Sequence, residues 1–451
     1  MAVRHRSIGE GFPKTYRSFN DIALKIIYNN LVTGNKDYVG ALLRGSPLKM
    51  VKNPTNKIKG AIVNKTGLER LNKKHPWIFK GHLASSPLAE PGDLVSLHNN
   101  RGRIEGWGFW SAGSLCTRVL TFGSQKPDIQ RLLAFRLEKS LAFRKRWLSK
   151  AEAFRLVHSE SDGLPGLIVD IYGPIASVQL LSTGWYKHRS MVVDSLLALL
   201  PLEGVVLRND VRYLEQEGIP REIRLLWGKL PPQNCIDISF GEIKERVYPL
   251  AGQKTGLYLD VRNLPFLFKN ISSEADVLDC FCFRGHFGLH ALHWGARSVT
   301  AVEQSEEALA VYRENLQMNG LSSKDVDLRH GNAFDELRRL EGEKKLYDII
   351  IMDPPPFSPG KAQIESARRG YKELALRAYR LLRPEGVLLY LCCSHAFSRQ
   401  MLIEVLRDAA IDRRQAFRIV REGYQPEDHP IALEIPETNY LKGLLVQGVE
   451  E

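Results

Sequence analysis

Val277-Leu-Asp-Cys-Phe-Cys-Phe-Arg-Gly-His-Phe-Gly288 reads as a short apolar strand, a turn and the opening of a helix. Three further strands end on a polar side chain, as this one does at Asp279: Ser298-Val-Thr-Ala-Val-Glu303, Leu328-Arg-His-Gly-Asn332 and Tyr347-Asp-Ile-Ile-Ile-Met-Asp353. Another apolar run, Gly386-Val-Leu-Leu-Tyr-Leu391, leads into Cys392 and Cys393. Helical stretches separate these strands, and such alternation implies a mostly parallel, doubly wound α/β sheet. In an open parallel sheet, ligands bind beyond the carboxyl ends of the strands. Asp279, Glu303, Asn332 and Asp353 are therefore candidates for a ligand site. Glu303 is placed to accept hydrogen bonds from ribose hydroxyls, and Asn332 to meet an adenine. Any one of them reads equally as a cap or turn residue, but the ordered set points to a nucleoside-type cofactor. No Gly-x-x-x-x-Gly-Lys-Ser/Thr loop occurs and the glycines of a nicotinamide fingerprint are missing, so neither phosphate-loop nor nicotinamide chemistry has support.

The sheet is expected over residues 239–451, opened by a hairpin-like pair. Before it, Arg155-Leu-Val157, Leu167-Ile-Val-Asp-Ile171, Ala176-Ser-Val-Gln-Leu-Leu181 and a helix near Met191 to Leu200 outline a middle α/β domain over 128–238. Its first helix, about 130–150, carries apolar side chains at helical spacing among many Arg and Lys, which suits a solvated face or one lying over RNA. Residues 58–127 hold short β-rich runs (Ala61–Val63, Trp77–Phe79, Asp93–Leu97, Gly106–Trp110, Cys116–Phe122) and read as a small β-barrel. Trp77, Phe79, Trp107, Phe109 and Trp110 either stack on bases or fill its core. Residues 1–57 show no sustained period and read as a basic extension, and Met50 is an alternative start.

Charge is unevenly spread. Residues 1–80 hold 16 Lys or Arg against 4 Asp or Glu, so the chain's whole net charge of +12 falls there, and 47 of each sign remain in residues 81–451. That concentration suits a polyanion, whose counterions are released on binding, although a solvated basic tail has the same composition. No apolar run approaches the ~20 residues of a membrane span, so no membrane partner is expected. The six cysteines are spread over a long chain without a secretory apolar core, which predicts reduced thiols and a cytoplasmic protein. Cys280-x-Cys282 and Cys392-Cys393 lack the spacing of a zinc knuckle, so no metal is expected.

From about Leu68 to Gln447 the chain resembles the bacterial 23S (large-subunit) ribosomal RNA methyltransferases that carry an N-terminal PUA domain and modify C5 of a cytosine. The resemblance is carried in order by Lys74-His-Pro-Trp-Ile-Phe79, Glu160-Ser-Asp-Gly-Leu-Pro-Gly166, Gln253-Lys-Thr-Gly-Leu-Tyr-Leu-Asp-Val-Arg262, the Asp279 turn and Asp353-Pro-Pro-Pro-Phe357. Arg369-Gly-Tyr-Lys372, Cys393-Ser394, Asp428-His-Pro430 and Tyr440-Leu-Lys-Gly443 continue it. It implies a PUA barrel, a middle α/β domain and a C-terminal class I, Rossmann-like methyltransferase domain. It further implies S-adenosylmethionine as cofactor and ribosomal RNA as substrate, and it allows a homodimer. The implied cofactor contacts are Tyr258, Asp260, Arg262, Asp279, Phe281, Gly285, Phe287, Glu303, Asn332 and Asp353; the implied catalytic residues are Cys393 and Asp353. Two positions depart from the family's cofactor turn: Arg284 and His286 stand where a small residue and a second glycine are usual. A side chain at His286 is expected to crowd the methionine moiety or to need a glycine-like backbone.

The chemistry has its own reason. C5 of cytosine is too weak a nucleophile to attack a sulfonium methyl group, but addition of a thiolate at C6 makes C5 enamine-like, and elimination later restores the ring. Asp353 would then hold the N3 and amino edge of a flipped base. Cys392 should point the other way and pack. Two alternatives stay open: methylation of a guanine nitrogen, which needs no thiol, and an RNA-binding assembly factor whose methyltransferase domain has decayed.

Overall fold

The computed structural model describes residues 60–252, 255–357 and 364–449; the expected extension 1–57 and Gln253-Lys254 of the resemblance motif lie outside them. Six strands form the N-terminal sheet: β1 (Gly60–Val63), β2 (Trp77–Phe79), β3 (Leu83–Ser85), β4 (Leu94–His98), β5 (Ile104–Trp110) and β6 (Leu115–Phe122), in the order β2-β6-β5-β4-β1-β3. The strand spacing misses helix α1 (Lys65–Asn72), whose Asn64 cap accepts from the Gly67 N–H at 3.0 Å and whose Leu71 is buried in the core of this unit. Trp107, Phe109 and Trp110 are buried, whereas Trp77 and Phe79 are half-buried.

Helix α2 (Ile129–Trp147) leads into the middle sheet. Its Leu133, Leu137 and Leu141 recur every four residues and are buried against that sheet, so the apolar face seen in the sequence is a packing face. The sheet contains β7 (Ala153–His158), β8 (Leu167–Tyr172), β9 (Ile175–Leu180), β10 (Gly204–Asn209) and β11 (Glu222–Gly228), in the order β11-β10-β9-β8-β7. Helices α3 (Thr183–Lys187) and α4 (Arg189–Leu199) cross over between β9 and β10. The first three of these strands are expected from the sequence, and β10 and β11 are found in the structure alone.

A hairpin, β12 (Ile236–Phe240) with β13 (Ile243–Val247), precedes the seven-stranded sheet of the C-terminal unit. There β14 (Asp276–Cys280), β15 (Ser298–Glu303), β16 (Val326–His330), β17 (Tyr347–Met352) and β18 (Leu382–Cys392) run parallel, β20 (Lys442–Gly448) pairs antiparallel with β18, and β19 (Phe417–Gly423) pairs antiparallel with β20 at the edge. The order is β16-β15-β14-β17-β18-β20-β19. Helices α5 (His286–His293), α6 (Glu306–Met318), α7 (Ala333–Gly342), α8 (Ile364–Leu381) and α9 (Arg399–Arg413) lie between the strands in sequence, and the sheet residues divide between two buried clusters, one on each face. Strand order reverses about β14, so the crevice at the carboxyl ends of β14 and β17 is where such a sheet takes a ligand. Among the described residues no helix is long and apolar enough to cross a membrane.

Candidate active site

The strand ends converge because the turn after β14 is folded tightly against β15. Phe281, Phe283 and Gly285 all have left-handed backbones, at φ 62°, 49° and 91°. The turn is pinned by the Cys282 N–H on the Val302 carbonyl at 3.1 Å and the Phe283 N–H on Glu303 Oε2 at 3.0 Å. Glu303 Oε1 also takes the N–H groups of Gln304 and Ser305, at 2.8 and 2.9 Å. Glu303 is thus a turn residue as well as a ligand candidate, and a carboxylate with about four acceptor sites can be both. Asn332 caps α7, its Oδ1 accepting from the Phe334 N–H at 2.9 Å, which leaves its amide group to donate. Asp353 directly follows β17 and is succeeded by three prolines that stiffen the segment.

A cavity of about 1420 Å³ lies over these ends. Its wall includes Tyr258, Asp260, Phe281, Phe287, Glu303, Asn332, Asp353 and Cys393, so eight of the eleven residues singled out in the sequence are brought together. Arg262, Asp279 and Gly285 are not on the wall. The Arg262 guanidinium is engaged elsewhere, with Asp428 Oδ1 at 2.7 Å and the Ala153 carbonyl at 3.0 Å. Asp279 is fully buried beneath the turn, where its Oδ2 accepts from the Gly288 N–H at 3.1 Å. Gly285 faces Tyr312: a Cβ there would lie 2.3 Å from the phenol ring.

Of the two expectations for His286, the glycine-like backbone needs correction. His286 begins α5 with no left-handed backbone; that conformation falls on Gly285. Its ring is bound to the Glu245 carboxylate and, at 3.3 Å, to the Arg262 carbonyl. The imidazole lines the cavity, anchored to β13.

Cys392 and Cys393 differ as strand alternation requires. Cys392 is fully buried in the sheet core, and Cys393 is partly exposed on the cavity wall. Beside them Lys442 is buried and donates to the Ser394 carbonyl at 2.6 Å, with no carboxylate within ion-pair distance among the described residues. Burial pulls its ammonium below the ordinary lysine range, and the two neighbouring thiols act in the opposite sense. Tyr440 donates from its hydroxyl to Asp260 Oδ2 at 2.8 Å, and its ring lies 5.4 Å from that of His395. Glu160, the first residue of a resemblance motif, also lines the cavity, as do three residues that carry no expectation from the sequence, His395, Phe334 and Tyr213. Of these three, only His395, two residues after Cys393, had a signal in its position. Among the described residues no group of three His, Cys, Asp or Glu side chains is placed to hold a metal.

The donor set at the β15 to β17 ends fits a nucleoside: a carboxylate and an amide, with apolar wall from Val302, Ala333 and Phe334. The family model "Conserved hypothetical protein 95" matches residues 261–403, and the "PUA-like domain" model matches residues 61–122. The chain is 36% identical over 389 residues to ribosomal RNA large subunit methyltransferase I of Shewanella denitrificans, covering 85% of this chain and 98% of the relative. The chain belongs to the ribosomal RNA large subunit methyltransferase I family. Another member of that family, from Tolumonas auensis, is 35% identical over 383 residues, covering 84% of this chain and 96% of its own. The fold of this family member is shared with a solved Streptococcus mutans protein assigned as a SAM-dependent methyltransferase (TM-score 0.75, 18% identity, 86% of this chain and 100% of the other). It is shared equally with a methyltransferase solved in complex with SAH (TM-score 0.76, 18% identity, 86% and 100%).

Proposed function

We propose that this protein is an S-adenosylmethionine-dependent methyltransferase that forms 5-methylcytosine in large-subunit ribosomal RNA through a covalent adduct on Cys393. The observation that carries the reading is the pairing of Cys393 and Asp353 on one cavity wall with Glu303 and Asn332, while the adjacent Cys392 is buried. Methylation of a guanine nitrogen would give a cavity-facing thiol no task. Glu303 and Asn332 hold the nucleoside part of the cofactor, with Tyr258, Phe281 and Phe287 as further wall. When bound, S-adenosylmethionine supplies the methyl group that C5 accepts. Asp353 grips the amino edge of the flipped cytosine and so orients the ring toward Cys393. The Cys393 thiolate forms the S–C6 bond, and the electron pair of the C5–C6 double bond makes C5 nucleophilic. Once C5 carries the methyl group, its proton passes to a solvent base, the C–H electron pair reforms the C5–C6 double bond, and the S–C6 bond breaks to return the Cys393 thiolate. Net basic residues 1–80 add sequence-independent affinity for the RNA backbone.

Ribosomal RNA carrying 5-fluorocytosine tests the chemistry, because fluorine at C5 blocks the proton loss that elimination needs. The expected result is one methyl transfer followed by a denaturant-stable protein–RNA complex. Cys393→Ala should abolish both the complex and turnover while S-adenosylmethionine affinity is retained. A folded Cys393→Ala protein that still methylates RNA would refute the adduct.

A further inference from the structure

We infer that Trp77 and Phe79 of β2 form a stacking subsite for an unpaired nucleotide next to the target base. The inference rests on the RNA reading above and adds a place for a second base. β2 alternates as a strand must: Ile78 is fully buried in the N-terminal core, so Trp77 and Phe79 face the opposite way. β2 is also the edge of its sheet, where outward side chains are ordinarily charged or polar. Here both are aromatic and half-buried, yet neither belongs to any apolar cluster of the described residues, so core packing does not account for them.

Both rings instead line the cavity that contains Cys393 and Asp353. Their centroids are 6.4 Å apart with planes at 89°, and the indole N–H is fixed by Glu160 Oε1 of the middle unit at 2.9 Å. The indole is therefore oriented before any ligand arrives. The cavity's 1420 Å³ exceeds the roughly 300–1,000 Å³ of a single small-molecule pocket. A cofactor and a target base occupy the strand-end side, which leaves the β2 side for a neighbour. Every base has a π face, so the ligand class is single-stranded nucleotide without a strong sequence preference.

The test uses full-length protein bound to unmodified large-subunit ribosomal RNA and irradiated with short-wavelength ultraviolet light. Trypsin releases both aromatics in one peptide, His75–Lys80. A nucleotide adduct on that peptide is expected. Trp77→Ala/Phe79→Ala should raise KM for the RNA about 10-fold or more, with kcat within about 2-fold and S-adenosylmethionine affinity unchanged. Trp77→Phe, which keeps a ring, should stay near the parent. Adducts found only elsewhere, or an unchanged KM in the double variant, overturn the subsite alone. Because the adduct is read on unsubstituted protein, a misfolded variant does not decide the matter. Protein that binds S-adenosylmethionine but neither methylates nor crosslinks to ribosomal RNA overturns the RNA reading, and the subsite with it.

Discussion

Asp279 opens the most informative motif of the chain, yet it is fully buried, with one oxygen on the Gly288 N–H and Oδ1 without a hydrogen-bond partner. Burial pushes its carboxyl up to about 7, with the Gly288 N–H pulling the other way. Its folded value lies above the unfolded one, so the native state holds the extra proton between about pH 4 and pH 7. The associated stability is present below that window and lost as pH rises through it, by up to about 4 kcal/mol. Asp279→Asn should flatten this part of the stability–pH curve; calorimetric melting with the parent's slope would show that the burial cost is met otherwise. Lys442 acts on the other side of the site. Its buried ammonium lies beside Cys392 and Cys393, and under the proposed chemistry it would act as a positioning residue for Cys393. Lys442→Met should raise the pH midpoint of Cys393 alkylation by about one unit, and Lys442→Arg should restore it. Equal midpoints, read by mass spectrometry of the Cys393 peptide, would remove Lys442 from that role.

At the scale of elements, the turn from β14 into α5 is shaped as much by α6 as by any ligand. Tyr312 of α6 is fully buried, and its hydroxyl has no hydrogen-bond partner. It fills the space that a Cβ at Gly288 would enter, 2.0 Å from the hydroxyl oxygen. Gly288→Ala should therefore destabilise the protein by about 1–3 kcal/mol through overpacking. Tyr312→Phe should be neutral or mildly stabilising, because it removes an unsatisfied buried group. Combined with Gly288→Ala it should recover most of the loss, since the next contacts are 3.1 and 3.2 Å away. A double variant whose loss is the plain sum in denaturant titrations would deny the contact. The glycines of this turn are thus legible in sequence as a motif, but their reason was not, because Tyr312 lies more than twenty residues downstream.

Across the whole molecule, Asp428 joins the middle and C-terminal units. Its carboxylate accepts from the Arg155 N–H at 2.7 Å and pairs with Arg262 at 2.7 Å, and its carbonyl takes Arg144 Nη2 at 2.9 Å. Arg144 in turn holds the Asp162 carboxylate, and Arg155 chelates Asp170 at 2.7 and 2.9 Å. Glu160-Ser-Asp-Gly-Leu-Pro-Gly166 and Asp428-His-Pro430 stood out as family motifs without a stated role. Asp162 and Asp428 place them in a strut between units, and Arg262 belongs to that strut rather than to the cavity wall. Asp428→Ala should cost about 3–5 kcal/mol, because it leaves the Arg262 charge buried and unpaired. Guanidinium unfolding should also split into two transitions as the units uncouple. One transition at the parent's midpoint would show that the units are held by other contacts.

What the sequence determined by itself was local and periodic. Alternating strand and helix patterns named the parallel sheet, the strand-end residues named the face that carries the cavity, and the Cys392-Cys393 step separated an inward thiol from an outward one, because strand geometry fixes side-chain direction two residues at a time. Tertiary structure decided what depends on contacts between distant segments. It set Arg262 and Asp279 off the cavity wall, gave His286 a partner in Glu245, placed α1 between strands and added β10 and β11 to the middle sheet. It also sorted five aromatics into three buried in the protein and two that face the cavity. The pattern of a single strand cannot say which neighbour its outward face will meet, because that neighbour is supplied by another unit of the chain.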